Sequence, residues 1–141
     1  MYEKLIRYSL LMIVTVAVSA GSLLAGDHTK DSLATVQKRM KDEEAILIDV
    51  REQKEWDVRH LKDAELVPMS DLQSPQLREK WLKELPKDKI IYCHCKSGGR
   101  ALHIADMLKE LGYDCRALPQ KYEELVKSGF AEAEPMPTKK Q

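Results

Sequence analysis

Two short, almost unbroken apolar runs constrain the fold of this 141-residue chain most, residues 45–50 (AILIDV) and 89–94 (KIIYCH). Each has the length of a strand and the continuous apolarity of one buried on both faces, as in a parallel sheet. Helical patterns separate and flank them. Ser32 precedes Leu33, Val36 and Met40 at helical spacing and is placed to cap that helix. Residues 52–58 read as a helical turn or two around Trp56, and residues 66–68 as a short strand ended by Pro68. Ser74-Pro75 opens a helix running to about Leu85. Residues 101–111 carry Leu102, Ala105, Leu108 and Leu111 on one stripe, with Gly112 as the stop. A strand over 113–118 and a last helix over 121–127 complete the series. Strands alternating with helices imply an α/β fold, a small parallel sheet with helices on both faces.

Length permits one domain and leaves no room for two. Charged residues make up 33% of the chain, but Lys plus Arg equals Asp plus Glu at 23 each. Such a balance offers no basic field for nucleic acid. The three cysteines are too few for a disulfide scaffold, and their odd number leaves at least one thiol without an intramolecular partner.

Residues 1–25 read apart from the rest. Lys4 and Arg7 form a basic start, residues 10–18 (LLMIVTVAV) are charge-free and apolar, and small residues follow. This is the order of a secretory signal peptide, with Ala20 or Ala25 ending a cleavage-like triplet. The alternative is an uncleaved membrane anchor at the lower length limit for crossing a bilayer. Both place the domain outside the cytoplasm: exported to a periplasm, secreted, or membrane-anchored facing outward. A linker and first helix over 26–39, a domain over 40–134 and a flexible tail over 135–141 follow.

The chemistry is expected where the second apolar run ends. Cys95 opens a tight loop, Lys96-Ser97-Gly98-Gly99-Arg100, that leads into a helix. Ligands of open α/β sheets bind at such carboxyl ends of strands. A helix N-terminus supplies unpaired N–H groups and a positive dipole end, which favour a thiolate, the nucleophilic form of cysteine. Gly98 and Gly99 allow the backbone to curl its amides toward one point. Lys96 and Arg100 add positive charge, and Arg100 serves equally well as a substrate fork or as a tie to a carboxylate. Cys93 and Cys115 read as core, and His94 as a buried, hydrogen-bonded histidine. Cys93 and Cys95 share a strand face, but no second Cys/His pair lies near enough in sequence to complete a metal site.

The run Cys95-Lys96-Ser97-Gly98-Gly99-Arg100 resembles the active loop of rhodanese-like domains. The resemblance extends to Asp49-Val50-Arg51, Glu55-Trp56, His60-Leu61-Lys62-Asp63-Ala64 with Val67-Pro68, Leu111-Gly112-Tyr113, and Tyr122-Glu123-Glu124-Leu125 with Gly129-Phe130, roughly residues 40–134. Arg59 departs from the glycine usual before the first-half histidine, and Pro119-Gln120 from the usual glycine pair.

The resemblance implies a single-domain sulfurtransferase. Cys95 would take sulfane sulfur from a small thiosulfate-like donor as a persulfide and pass it to cyanide, a thiol or a protein. Lys96, Ser97, Gly98, Gly99 and Arg100 would cradle the anion, with no metal or organic cofactor required. Asp49, Arg51 and His60 are assigned to structure, and Trp56 to packing. Two alternatives remain: a rhodanese-fold binding module without turnover, and a phosphatase-like cysteine enzyme. The latter is disfavoured because only Lys96, Ser97, Gly98 and Gly99 separate Cys95 from Arg100, one residue fewer than phosphatase loops use.

Overall fold

The computed structural model describes residues 26–135. The expected leader over 1–25, and all of the tail beyond Pro135, lie outside the described residues.

In chain order the elements are α1 (Leu33–Lys41), β1 (Ala45–Asp49), α2 (Gln53–Val58), β2 (Ala64–Leu66), α3 (Met69–Gln73), α4 (Pro75–Glu84), β3 (Ile90–His94), α5 (Gly99–Glu110), β4 (Cys115–Ala117) and α6 (Tyr122–Lys127). The four strands form one parallel sheet in the order β2-β1-β3-β4. The two apolar runs are the central strands, paired from Ala45 with Ile90 to Asp49 with His94.

Strand periodicity divides each run between two cores. Leu47 and Tyr92 face α1 and α6, joining Val36, Leu61, Leu118, Leu125 and Phe130. Ile48, Ile91 and Cys93 face the opposite layer, joining Leu72, Ile104, Ala105, Leu108 and Cys115. Each fully buried Leu or Ile contributes about 1.5–3 kcal/mol of burial free energy, so both layers are needed to hold so small a sheet.

Local signals fix the ends of several elements. Ser32 Oγ accepts from Thr35 N at 3.1 Å and caps α1. Pro75 occupies the first turn of α4. Three boundaries differ from the sequence reading. The second strand lies at Ala64–Leu66, ahead of Val67-Pro68, because Pro68 already leads into the unforeseen α3. The helix after the cysteine loop begins at Gly99, earlier than its apolar stripe. Residues 131–133, assigned to no element by the sequence reading, are engaged: Leu61 pairs with Glu132, and Ala133 N donates to His60 O at 2.9 Å.

The polar stretch before α1 also packs. Thr29 N donates to Ala117 O at 2.8 Å, on the outer edge of β4. Asp31 Oδ2 accepts from Tyr92 Oη, Arg39 Nη1 and Arg116 Nη1 at 2.7–2.9 Å. Its carboxyl is held at about 2, chiefly by the Tyr92 hydroxyl.

Candidate active site

Cys95 follows the last residue of β3, at the carboxyl end of the central strands, and the chain turns at once into α5. Lys96 and Ser97 are exposed, Gly98 is in the left-handed region at φ +97° and ψ −18°, and α5 begins at Gly99. Gly98 N donates to Cys95 Sγ at 3.1 Å, so the loop directs at least one backbone donor at the sulfur. Such a donor is stronger toward an anion than toward a neutral thiol. The loop is tied to α6 by Tyr122 N, which donates to Lys96 O at 3.1 Å. The Gly98 carbonyl accepts from Leu102 N at 3.1 Å within α5 and from His28 Nε2 at 2.9 Å.

Cys95 itself is fully buried. Lys96 and Ser97 separate it from a groove of about 610 Å³, also lined by Arg51, Lys54, Glu55, Val58, Arg59, Lys121, Tyr122 and Glu123. Val58 stands 78% exposed at its rim. The two carboxylates of the groove are already paired, Glu55 with Arg100 and Glu123 with Arg59. Among the described residues, Lys54, Lys96 and Lys121 have no such partner, which leaves the mouth of the groove net positive.

The structure gives Arg100 one of its two expected roles. Its guanidinium donates through both terminal nitrogens to the Glu55 carboxylate, binding the start of α5 to α2. The Arg100 hydrogen bonds hold the Glu55 carboxyl at about 2. Glu55 also accepts from Glu52 N at 3.0 Å, closing the first turn of α2. The sequence signals Glu55 only as part of a motif; its pairing with Arg100 bridges 45 residues of chain and has no local signature.

Asp49, Arg51 and His60 support the walls. Arg51 Nε and Nη2 grip the buried Asp49 carboxylate at 2.8–3.0 Å, and Nη2 also reaches Arg59 O at 2.8 Å. The Arg51 guanidinium lies 4.5 Å from the Tyr122 ring centroid, a cation–π contact. His60 stacks on Trp56 at 3.7 Å between centroids. Arg59 has φ −164°, an extended conformation open to any residue, so the missing glycine costs nothing in backbone strain. Its side chain pairs with Glu123 and Glu132 instead.

The residues around Cys95 depart from expectation in one respect. His94 is buried as expected, but neither ring nitrogen has a hydrogen-bond partner among the described residues. The nearest carboxylate, Asp49 Oδ2, lies 3.7 Å from Nε2. Burial lowers the His94 pKa and favours the neutral ring. Cys93 and Cys115 are core residues, with sulfurs 3.7 Å apart. Burial pushes the Cys93 thiol well up, away from nucleophilic thiolate.

Comparison with known proteins gives one family. The family model described as "Rhodanese-like domain" matches residues 32–128. The "Probable adenylyltransferase/sulfurtransferase MoeZ" of Mycobacterium tuberculosis is 36% identical over 67 residues, 48% of this chain. This chain's match spans only 16% of that relative's length. Among solved structures, the human single-domain sulfurtransferase TSTD1 aligns at TM-score 0.57 and 25% identity, over 72% of this chain and 97% of that one. Protein hp1203 of Helicobacter pylori aligns at TM-score 0.57 and 32% identity, over 70% and 87%.

Proposed function

The chain belongs to the rhodanese-like domain family, and we propose that it is a sulfurtransferase in which Cys95 carries the sulfur. The observation that carries this reading is the Gly98 N–H directed at Cys95 Sγ from the turn that opens α5. Cys93 and Cys115 lie in the same buried cluster as Cys95, but their sulfurs meet each other and backbone carbonyls, with no backbone N–H directed at them among the described residues.

The first step is attack by the Cys95 thiolate on the outer sulfur of a donor such as thiosulfate. A new S–S bond forms, the donor's own S–S bond breaks, and sulfite leaves with that electron pair. The product is a Cys95 persulfide with its negative charge on the outer sulfur. In the second step cyanide or a thiolate attacks that outer sulfur, and the thiolate of Cys95 is regenerated. Backbone N–H groups from Lys96 to Arg100 stabilise the charge as it moves outward by one sulfur. The unpaired Lys54, Lys96 and Lys121 favour entry of a dianion. Because Cys95 is buried, the reaction requires Lys96 and Ser97 to shift and open the sulfur to the groove. The cellular acceptor is a thiol, free or on a protein.

The test is intact mass of the purified domain after incubation with thiosulfate. One added sulfur on wild type, and none on Cys95→Ser, is the expected result. An unchanged wild-type mass would favour a binding module, and hydrolysis of an aryl phosphate at a matching rate would favour a phosphatase.

We also propose that the protein acts outside the cytoplasm, on the strength of the basic, apolar and small-residue order of residues 1–25. N-terminal sequencing of the native protein should begin at Gly21 or Gly26. Intact Met1 in washed membranes would instead identify an anchor.

A further inference from the structure

The segment ahead of α1 is fastened on both sides of one contact with the cysteine loop. At its start Gly26 N donates to Asp106 Oδ2 of α5 at 3.0 Å. Further on, Thr29 N donates to Ala117 O of β4 at 2.8 Å. Between these anchors His28 Nε2 lies 2.9 Å from Gly98 O. A carbonyl oxygen can only accept, so Nε2 carries the proton and donates.

Gly98 is the residue whose conformation decides where the loop's donor points. Its N–H reaches Cys95 Sγ, and its φ of +97° lies in a region that glycine enters and leaves at little cost. The backbone alone therefore does not secure it. Its carbonyl, however, is held from inside by Leu102 N and from outside by His28. With this doubly held carbonyl in place, Gly98 as a whole cannot turn without breaking a hydrogen bond, which leaves only rotation of the Ser97–Gly98 peptide plane to withdraw the N–H from Cys95.

We infer that His28 is a positioning residue for the reaction at Cys95, acting through its hydrogen bond to Gly98 O. The inference rests on the reading of Cys95 as sulfur carrier, which supplies the activity to be measured. His28 does not touch the reacting sulfur. It keeps the Gly98 amide aimed while Lys96 and Ser97, the exposed part of the loop, move for substrate.

Two variants of the full chain separate this role from mere packing. His28→Phe keeps the ring's bulk and removes the donor, whereas His28→Gln keeps an N–H donor on a flexible side chain. Two measurements apply: hydrogen exchange of the Gly98 amide by NMR, and kcat and KM for transfer from thiosulfate to cyanide. In His28→Phe, Gly98 exchange should rise and kcat should fall, each by about 3- to 10-fold, the worth of one hydrogen bond. KM should stay within about two-fold, and His28→Gln should recover most of both losses. Wild-type exchange and kcat in His28→Phe would overturn the inference. So would equal impairment of both variants with equally lowered melting temperatures, because bulk rather than the donor would then matter. A wild-type protein that transfers no sulfur would sink the proposed function, and Gly98 exchange in the three proteins would still decide whether His28 holds the loop.

Discussion

Arg100 and Glu55 face each other as a two-pronged ion pair, Nη1 to Oε2 at 2.7 Å and Nη2 to Oε1 at 2.8 Å. The guanidinium nearest Cys95 in sequence is thereby committed to α2. It anchors the loop, and in the proposed reaction the unpaired lysines around the groove are left to meet an incoming anion.

Removing one partner of this pair should be measurable as stability. The Glu55 carboxyl falls from 4.5 to about 2 on folding, chiefly through Arg100. A depressed folded pKa contributes stability in full above pH 4.5, and that contribution is lost as pH falls toward 2. Because both side chains are about one-third exposed, solvent screening reduces the expected cost of Glu55→Gln to about 1 kcal/mol at neutral pH. Urea unfolding at pH 7 and pH 3 should show the gap between variant and wild type narrowing at the lower pH. A gap that stays constant would assign the cost to something other than charge.

Only one cysteine should matter to turnover. Cys95→Ser should abolish thiosulfate-to-cyanide transfer. Cys93→Ala and Cys115→Ala should retain most of it while losing about 1 kcal/mol of stability from the emptied core. Comparable loss of activity in all three, with circular dichroism unchanged, would contradict the assignment.

None of the three cysteines should pair with another, even in an oxidising compartment. The register sets Cys93 opposite Ala117, two residues beyond Cys115. With strands ~4.8 Å apart and ~3.3 Å of rise per residue, the Cys93 and Cys115 Cα atoms are separated by roughly 8 Å. A disulfide needs no more than about 7 Å, so the contact between their sulfurs cannot close without moving the backbone. Cys93 and Cys95, ~6.6 Å apart along one strand, sit near the upper limit. Non-reducing peptide maps of freshly isolated protein should contain no cysteine cross-link.

Gly98 should tolerate no side chain. At φ +97° a Cβ would lie 3.1 Å from His28 Nε2 and 3.3 Å from Pro119 O. Gly98→Ala should cost about 1–2 kcal/mol in backbone strain alone and lower sulfur transfer at least ten-fold. Gly99→Ala meets nothing within 4 Å and should leave thermal stability unchanged or slightly raised. Equal melting temperatures for Gly98→Ala and wild type would remove the basis for a strained turn.

The parts of this architecture written in contiguous sequence were legible before the structure. The runs 45–50 and 89–94 become the two central strands because burial on both faces demands apolar residues at every position. Ser32 and Pro75 mark helix starts through local capping chemistry. The loop from Cys95 to Arg100 likewise declares itself in six consecutive residues. What escaped depends on distant contacts. α3 is five residues long and too short for a period to emerge. The complete burial of Cys95 is likewise a product of packing between segments distant in sequence. The Arg100–Glu55 pair and the His28–Gly98 contact are closed only by tertiary folding.

The bond from Thr29 to Ala117 lies on the β4 border of the sheet, whereas the bridge from Leu61 to Glu132 lies ahead of β2, outside the strands. Unpaired strand borders are templates on which other chains can assemble. Here the border strands β2 and β4 are only three residues each, and the segment ahead of α1 takes up part of the remaining hydrogen-bonding capacity of β4 through Ala117 O. The stretch that looks dispensable as a linker therefore covers part of a strand border, and trimming it would expose a surface prone to self-association.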